Sequence, residues 1–418
     1  MSKIHIVGAG VAGLSAAVRL AGSGRQIFLY ESAGHAGGRC RSYFDIHLGC
    51  RIDNGNHLLL SGNPSVHEYL SKIGASRELI GPERAIFPFI DLSVSKRWTV
   101  EIGKSSFPLW LLKKDRRIPD TGISDYLTAL RLLFADEDQT LGDIVDTHAP
   151  LYHRFFEPFA VGVLNTPAEV SSARLLATVL KETFARGADA CMPRMAKVGL
   201  SETFVDPALT YLKERGVVYR VNTRLREIVV EAQRTTHLRF STSEIEVSRD
   251  DIVILATPAP VTMTLVPDLT VPVDTYPIVN AHFRVPDKVQ LASDAGLIGI
   301  VGGTAQWLFF RGDIISATVS AADELADAPA AYIAQAIWSD ITRSIDGVPK
   351  EMPEKYRVVK ERRATISQTP ESNRMRPTSI CYLENLLLAG DWTNTGLPAT
   401  IEGSIKSGNS AADIVLTR

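Results

Sequence analysis

The chain has 418 residues, a length typical of about two or three domains. A hydrophobic content of 45% with 22% charged residues excludes a disordered or collagen-like chain. Lys+Arg 45 against Asp+Glu 47, with no long basic block, argues against nucleic acid as a partner. The four cysteines lie far apart without metal-ligand spacing, which predicts free thiols in a reducing cytoplasm and no metal site. No apolar run is long enough to predict a membrane span.

The N-terminal stretch carries the most informative motif. Lys3–Val7 is a short β-branched run, typical of a buried parallel strand. It leads through Gly8-Ala9-Gly10-Val11-Ala12-Gly13 into the helical pattern Leu14–Leu20. A second predicted strand, Gln26–Tyr30, ends in Glu31. A GxGxxG turn between strand and helix, followed by an acid after the second strand, predicts a dinucleotide site.

Each residue of this motif has a mechanical role. Gly8 makes the tight turn, Gly10 lets a pyrophosphate approach the backbone, and Gly13 allows the helix to pack closely on the strand. The helix N-terminus offers N–H groups and the positive end of its dipole to the phosphates. Glu31 is expected to accept both hydroxyls of an adenosine ribose. The predicted cofactor-binding residues of this motif are Gly8, Gly10, Val11, Ala12 and Gly13.

Further glycine-containing blocks follow. Gly37-Gly38-Arg39-Cys40-Arg41-Ser42 comes after the second strand, and Asp53-Asn54-Gly55-Asn56-His57 comes shortly afterwards. Near the C-terminus, the apolar strand Asn385–Ala389 ends in Gly390-Asp391. It is followed by Gly396-Leu397-Pro398-Ala399-Thr400-Ile401-Glu402-Gly403 and a helix of small residues.

These blocks, in this order, resemble the flavin amine oxidase and carotenoid desaturase superfamily. The resemblance implies FAD as the cofactor, with Gly38 and Arg39 near the flavin and Asp391 near the ribityl chain or pyrophosphate. The segment that contains Asn56 would pass beside the isoalloxazine ring. It also implies that backbone N–H groups at the start of the last helix face the pyrimidine edge. The remaining cofactor contacts implied in this way are Leu225 at the adenine, Gly390, Thr400 and Ile401.

The fold class expected from the resemblance is α/β, with a Rossmann-type FAD-binding domain of the GR2-like kind and an inserted α+β substrate-binding domain. Residues 1–80, 200–265 and 385–418 are assigned to the FAD domain. Residues 81–199 and 266–384 are assigned to the substrate domain. A strand is predicted at Val217–Val221, a hairpin at Leu225–Val230 and His237–Phe240, a buried strand at Asp251–Ala256, and helices around Tyr126–Leu133 and Tyr332–Arg343.

Longer stretches resemble one family within this superfamily, the hydroxysqualene dehydroxylases of bacterial squalene and hopanoid synthesis. They are the Asp53–Leu60 run, Leu164-Asn165-Thr166-Pro167, and Gly390–Gly403. The resemblance implies that reduced FAD converts hydroxysqualene to squalene with loss of water. Asn63-Pro64 departs from the tyrosine-bearing turn expected there. The alternatives are a polyene desaturase or an amine oxidase, and, from another class, a Rab-escort-like binding protein without redox chemistry.

This chemistry needs a proton donor near the flavin, because a hydroxyl leaves poorly until it is protonated. The candidates are His57, Asp53 and Glu157. His57 is preferred from its place in the motif, with a structural hydrogen bond as its alternative role. Asp53 could instead form a turn, and Glu157 could be a helix-end residue.

The remaining expectations concern partners. Gly296, Gly299, Gly302 and Gly303 suggest a hairpin rather than a second nucleotide site. Reducing equivalents are therefore expected from an external NAD(P)H-linked source. The resemblance implies a hydrophobic C30 isoprenoid as the substrate, and association with the enzymes that supply hydroxysqualene is expected. The run Phe107–Leu112, followed by Lys113–Arg117, is consistent with peripheral contact with the inner face of the cytoplasmic membrane and equally with an ordinary core helix that has a solvated end.

Overall fold

The computed structural model describes residues 2–104, 114, 117–286 and 295–418. Its first sheet is parallel, with the strand order β10-β2-β1-β14-β20. These strands are short and apolar, as expected where helices cover a parallel sheet. They come from widely separated parts of the chain: β1 Lys3–Val7, β2 Gln26–Tyr30, β10 Val218–Arg220, β14 Ile252–Leu255 and β20 Leu386–Leu388.

Two helices pack tightly against each other beside this sheet: α1, Val11–Leu20, and α13, Ile401–Leu416. Gly408 makes the close approach feasible, because a Cβ there would lie 2.0 Å from Ser15 Oγ and 2.1 Å from the carbonyl oxygen of Ala12. The Ser15 hydroxyl donates to the carbonyl of Ile405 at 3.2 Å. The chain's first and last helices are thereby joined.

The largest sheet has seven strands in the order β19-β15-β18-β17-β16-β7-β8. Pairing is antiparallel except between β16 and β7. One face carries an apolar core against the helix α11, Ala330–Ser344. The strands are β7 Ile86–Asp91, β8 Lys96–Glu101, β15 Thr275–Arg284, β16 Leu297–Val301, β17 Trp307–Arg311, β18 Ile314–Ser320 and β19 Tyr356–Ile366.

Three smaller sheets complete the strands of the described residues. They are the hairpin β3 Ser42–Asp45 with β4 Cys50–Asp53; the order β5-β9-β6, with β5 Leu59–Leu60, β6 Leu79–Ile80 and β9 Pro193–Ala196; and the order β11-β12-β13, with β11 Leu225–Glu231, β12 Arg234–Phe240 and β13 Glu244–Glu246.

The remaining α-helices occupy segments of the chain between successive strands. Short 3₁₀ and π turns adjoin several of them, including a π turn at Tyr152–Phe156. The helices are α2 Pro64–Lys72, α3 Ile123–Leu132, α4 Leu141–Ile144, α5 Glu157–Leu164, α6 Ala173–Glu182, α7 Ala188–Cys191, α8 Asp206–Glu214, α9 Ala259–Leu265, α10 Asp323–Asp327 and α12 Pro370–Arg374.

Most predicted elements are confirmed. The βαβ unit, the β11–β12 hairpin, the buried strand β14 and the helices α3 and α11 form where the sequence indicates. The glycines around 296–303 flank the antiparallel β16–β17 hairpin. All four cysteines are free thiols. The division into two domains at the stated boundaries stays a prediction.

Asn63 and Pro64 stand where the resemblance leads one to expect a tyrosine-bearing turn, and they form the start of α2. Asn63 is the N-cap residue of α2 and Pro64 is its first residue, the position where proline is favoured. The Glu402 carboxylate of α13 accepts the N–H groups of Ser65 and Val66, each at 2.9 Å. This turn therefore joins α2 to the first turn of α13.

Candidate cofactor and active site

The glycine-rich turn leaves open space where a phosphate group is expected. A Cβ at Gly13 would lie 1.9 Å from the carbonyl oxygen of Gly8, so only glycine fits there. A Cβ at Gly10 would have no heavy atom within 4 Å. Gly10 is also the N-cap of α1 and places no side chain over its first turn, Val11 and Ala12. The helix N-terminus is thus accessible to an anion.

Glu31 lies beside this turn, as the motif predicts. Its carboxylate accepts the N–H of Ala9 at 2.9 Å and the N–H of Ala33 at 2.9 Å. The Ser32 hydroxyl also donates to Glu31 Oε1 at 3.1 Å. Oε2 keeps a second acceptor position, and the Ser32 hydroxyl can rotate away to free one on Oε1, so Glu31 can receive ribose hydroxyls. Leu225 begins β11 and is buried in an apolar cluster with Tyr30. The adenine contact of Leu225 stays a prediction.

The GGR loop and the C-terminal GD block meet in space. The Arg39 guanidinium donates from Nη2 to Asp391 Oδ1 at 2.7 Å, and another of its nitrogens donates to the carbonyl of Ala364. Asp391 is buried. The residue before Gly38, Gly37, donates its N–H to the carbonyl of Ala9 at 2.8 Å. Three blocks that are far apart in the sequence therefore converge on one place.

The last helix, α13, packs against the GD block. Thr400 is its N-cap, and its hydroxyl accepts the N–H of Gly403 at 3.2 Å. Ile401 is the first helical residue. Gly390 donates its N–H to the hydroxyl of Ser407 at 2.9 Å, which fixes the GD turn against the helix. The turn that carries Asp391 is thus held by the second turn of α13.

His57 is half-buried next to this assembly. Burial lowers the pKa of His57; the carboxylate of Asp53 acts in the opposite direction and the cation of Arg39 acts with burial. A lowered pKa means that the imidazole is mainly neutral at pH 7. When it does carry a proton, it is a stronger acid than an ordinary histidine.

Asp53 has a structural environment. Its Oδ1 accepts the hydroxyl of Ser42 at 2.6 Å and the N–H of Leu200 at 2.9 Å. Its Oδ2 forms an ion pair with Arg311 at 2.8 Å. Both oxygens of this buried carboxylate are thus engaged by donors from the protein. This arrangement favours the turn-forming role of Asp53 over that of a proton donor.

Glu157 lies at the surface, which argues against its candidacy as the proton donor. Its side chain is 46% exposed and pairs with His153 at 3.1 Å, one helical turn earlier. A solvent-exposed carboxylate in an i,i+4 pair needs no catalytic explanation. Asn56 also differs from a simple cofactor contact, because its side-chain Nδ2 donates to Thr318 Oγ1 of β18 at 3.0 Å.

Arg376 was not anticipated from the sequence. It is buried, and its guanidinium donates to the carbonyls of Asp391 at 3.0 Å and Thr393 at 2.6 Å. Burial lowers the pKa of Arg376 to about 10, with Asp391 opposing the shift. No sequence motif surrounds Arg376, so nothing in the chain marked it in advance. It adds a second cation beside the backbone of Asp391.

The site fits FAD. Three features suit a flavin dinucleotide: the open space at Gly10, the Glu31 carboxylate beside the turn, and the Arg39–Asp391 pair in the turn that α13 holds. Fold and site together define an FAD-dependent oxidoreductase.

Comparisons with known proteins agree. The family model for flavin-containing amine oxidoreductases matches residues 11–416. Proteins named hydroxysqualene dehydroxylase from Sinorhizobium fredii and Zymomonas mobilis are each 43% identical to the chain; the first match covers 99% of this chain and 98% of the relative, the second 100% of both. A probable zeta-carotene desaturase of Synechococcus elongatus is 23% identical over 99% of this chain and 98% of its own length. The structure of cyclohexylamine oxidase from Brevibacterium oxydans aligns with a TM-score of 0.75 at 12% identity, covering 100% of this chain and 99% of that one.

The chain therefore belongs to the flavin-containing amine oxidoreductases and, among them, to the hydroxysqualene dehydroxylase family.

Proposed function

We propose that the protein catalyses the FAD-dependent reductive dehydroxylation of hydroxysqualene to squalene. The observation that carries the proposal is 43% identity over the whole chain with proteins named for that activity, joined to an intact FAD site. The distant zeta-carotene desaturase, at 23% identity, gives the desaturase alternative less support. Supply of squalene for hopanoid synthesis stays a prediction.

The reaction balances with few protein groups. The C–O bond of the allylic alcohol breaks, a proton joins the departing oxygen to form water, and a hydride completes the new C–H bond. When bound, reduced FAD would supply that hydride, and an external NAD(P)H-linked donor would supply the two electrons that reduce the flavin. The protein must hold the alcohol, deliver or orient the proton, and exclude other water.

The surroundings of His57 suit an apolar substrate. Leu58 and Leu60 follow it directly and pack, half-buried, against an apolar cluster. In the same cluster the rings of Phe155 and Phe159 are stacked with centroids 5.6 Å apart, and Phe184 meets Phe159 edge-on at 5.2 Å. These partly buried aromatic and aliphatic groups belong to the apolar cluster against which the two residues Leu58 and Leu60 pack, and such a cluster suits a hydrophobic polyene.

Anaerobic incubation of dithionite-reduced protein with hydroxysqualene tests the proposal directly. Squalene should form in a single turnover while the flavin absorbance of the oxidised state returns. If the alcohol remains unchanged and the oxidised protein instead introduces double bonds into a polyene, the desaturase alternative is correct. Protein that purifies without flavin absorbance and cannot be loaded with FAD would favour the escort-type alternative.

A peripheral membrane contact is a second part of the proposal. No helix in the described ranges has the length and apolarity needed to cross a bilayer. The run Phe107–Leu112 lies outside the described residues. Helix α3 supports surface contact, because apolar side chains recur on it at helical spacing and remain exposed: Ile123 49%, Leu127 58% and Leu130 52%. Phe134, two residues beyond the end of this helix, is 82% exposed. A C30 hydrocarbon is delivered most readily from a lipid phase.

Replacement of Leu127 and Phe134 by serine is expected to reduce flotation of the protein with anionic liposomes, because it removes apolar area that would enter the bilayer interface. The Trp110→Ser, Leu111→Ser double variant should act in the same direction. Tyr332→Ser, which removes a side chain 64% exposed on α11, is the matched control and should float like wild type. Equal flotation of all four proteins would contradict the membrane contact.

Association with the enzymes that supply hydroxysqualene is proposed on the same ground of substrate delivery.

A further inference from the structure

The seven-stranded sheet has a second face that is buried and yet polar. Along β15, the residues Val279, Ala281 and Phe283 belong to the apolar core, while the residues between them are polar. β18 shows the same alternation, with Ile315, Ala317 and Val319 in that core. The polar residues, each no more than 7% exposed, are Asn280, His282, Ser316, Thr318 and Ser320. Buried polar groups are costly unless they are hydrogen-bonded, so the partners of this face identify its purpose.

Part of this face binds the loop that leads to His57. Thr318 donates its hydroxyl to Asn280 Oδ1 at 2.8 Å and accepts Asn56 Nδ2 at 3.0 Å. Asn280 Oδ1 also lies 3.4 Å from the backbone nitrogen of Asn56, which donates to it. The Thr318 hydroxyl therefore links the two asparagines, because it donates to Asn280 and accepts from Asn56. Backbone and side chain of Asn56 are both held by the sheet.

The adjacent part of the face lies under the start of the same loop. His282 is fully buried, and its Nδ1 is 2.8 Å from Ser316 Oγ. Burial lowers the pKa of His282 to about 4, against the opposing effect of the Asp53 carboxylate. His282 is consequently neutral at physiological pH and can support the loop without adding a charge. The polar row thus follows the loop from Asp53 to Asn56.

We propose that Thr318 and Asn280 are positioning residues, which fix the backbone of Asn56 and thereby set the place of His57 relative to the cofactor. The inference rests on the proposed function, since it gives His57 a position that the reaction requires. His57 is the next residue after Asn56, so its Cα has little freedom once the preceding N–H and side chain are anchored. Small displacements of an acid or hydrogen-bond donor reduce rates sharply.

The titration of His57 reports this positioning without any substrate. Its pKa is lowered mainly by burial, with Asp53 raising it and Arg39 lowering it. A loop released from the sheet admits water to the imidazole and raises the pKa toward its ordinary value. Thr318→Val keeps the side-chain shape and removes both hydrogen bonds of the hydroxyl. We expect this substitution to raise the pKa of His57 by on the order of 0.5. The titration is measured by NMR on FAD-loaded protein with labelled histidines. The His57→Gln variant assigns the His57 resonance.

Matched variants separate positioning from general destabilisation. Thr318→Ser restores the hydroxyl and should return the His57 titration to that of wild type. Thr183→Val removes another buried hydroxyl, which donates to the carbonyl of Val179 at 2.6 Å, and should leave the titration unchanged. Asn56→Ala releases the loop from its own side and should repeat the effect if Thr318→Val does not fold. An unshifted His57 in Thr318→Val or Asn56→Ala, or an equal shift in Thr183→Val, overturns the inference. None of these outcomes depends on whether hydroxysqualene is the substrate.

Discussion

Glu31→Ala is expected to purify with little bound flavin while the chain remains folded. The proposed contacts are hydrogen bonds from two ribose hydroxyls to one carboxylate, and charge-assisted bonds of this kind contribute about 1.5–3 kcal/mol each. Since about 1.4 kcal/mol corresponds to a tenfold change in affinity, loss of both should weaken FAD binding by roughly two orders of magnitude or more. The ratio of flavin to protein absorbance and a titration of stripped protein with FAD measure the effect.

The experiment must distinguish loss of the ribose contacts from disturbance of the turn around Glu31. Glu31 also accepts the N–H groups of Ala9 and Ala33, so alanine leaves those donors without their partner. Glu31→Gln keeps one acceptor oxygen and should lose less affinity than alanine. Glu227→Ala removes an exposed carboxylate paired with Arg239 on β11 and should retain wild-type flavin content. Full flavin occupancy in Glu31→Ala would contradict the assignment of the ribose site.

The prediction of the cofactor half of the site depends largely on motifs that are local in the sequence. The position of Glu31 beside the glycine turn follows from one βαβ unit, whose geometry is fixed by two paired strands and a short helix. The Arg39–Asp391 pair joins residues 352 positions apart. No pattern of periodicity or spacing predicts that contact, and only the resemblance of whole blocks brought the two residues into one site.

The catalytic half was harder because its residues depend on tertiary contacts. Asp53 was a candidate acid by composition, but its donors come from Ser42, Leu200 and Arg311, in three other segments. Glu157 carried a usable signal, since His153 precedes it by four residues, the spacing of a surface helix pair. A stricter reading of that spacing would have placed Glu157 at the surface.

The polar row on β15 also left a trace in the sequence. Asn280 and His282 alternate with Val279, Ala281 and Phe283, a period of two inside a strand. Such alternation ordinarily indicates one solvated face. Here both faces are buried, because the Asp53–Asn56 loop covers the polar one. The pattern alone could not distinguish water from a loop as the partner of that face.

His57 is the remaining candidate for the proton donor. With Asp53 saturated by donors and Glu157 at the surface, His57 is the candidate that combines a lowered pKa with partial exposure beside the cofactor blocks. Its acidity is tuned by burial, and its location is held through Asn56. Both features come from the sheet and the loop rather than from the motif in which His57 was first noticed.

His57→Ala is expected to slow the single-turnover oxidation of reduced flavin by hydroxysqualene about 10²–10⁴-fold, the range typical of general acid catalysis. The flavin spectrum and reduction by dithionite should be nearly unchanged. The protonated fraction of the His57 imidazole grows as the pH falls, and the lowered pKa of His57 moves this change to a lower pH. The wild-type rate should therefore rise from pH 8 toward the lowered pKa and level off below it, whereas the His57→Ala profile should be flat. A slow variant whose wild-type parent shows no pH dependence would assign His57 to orientation of the hydroxyl through a neutral N–H. Loss of bound FAD would place it among the cofactor-positioning residues, and wild-type turnover would remove it from the mechanism.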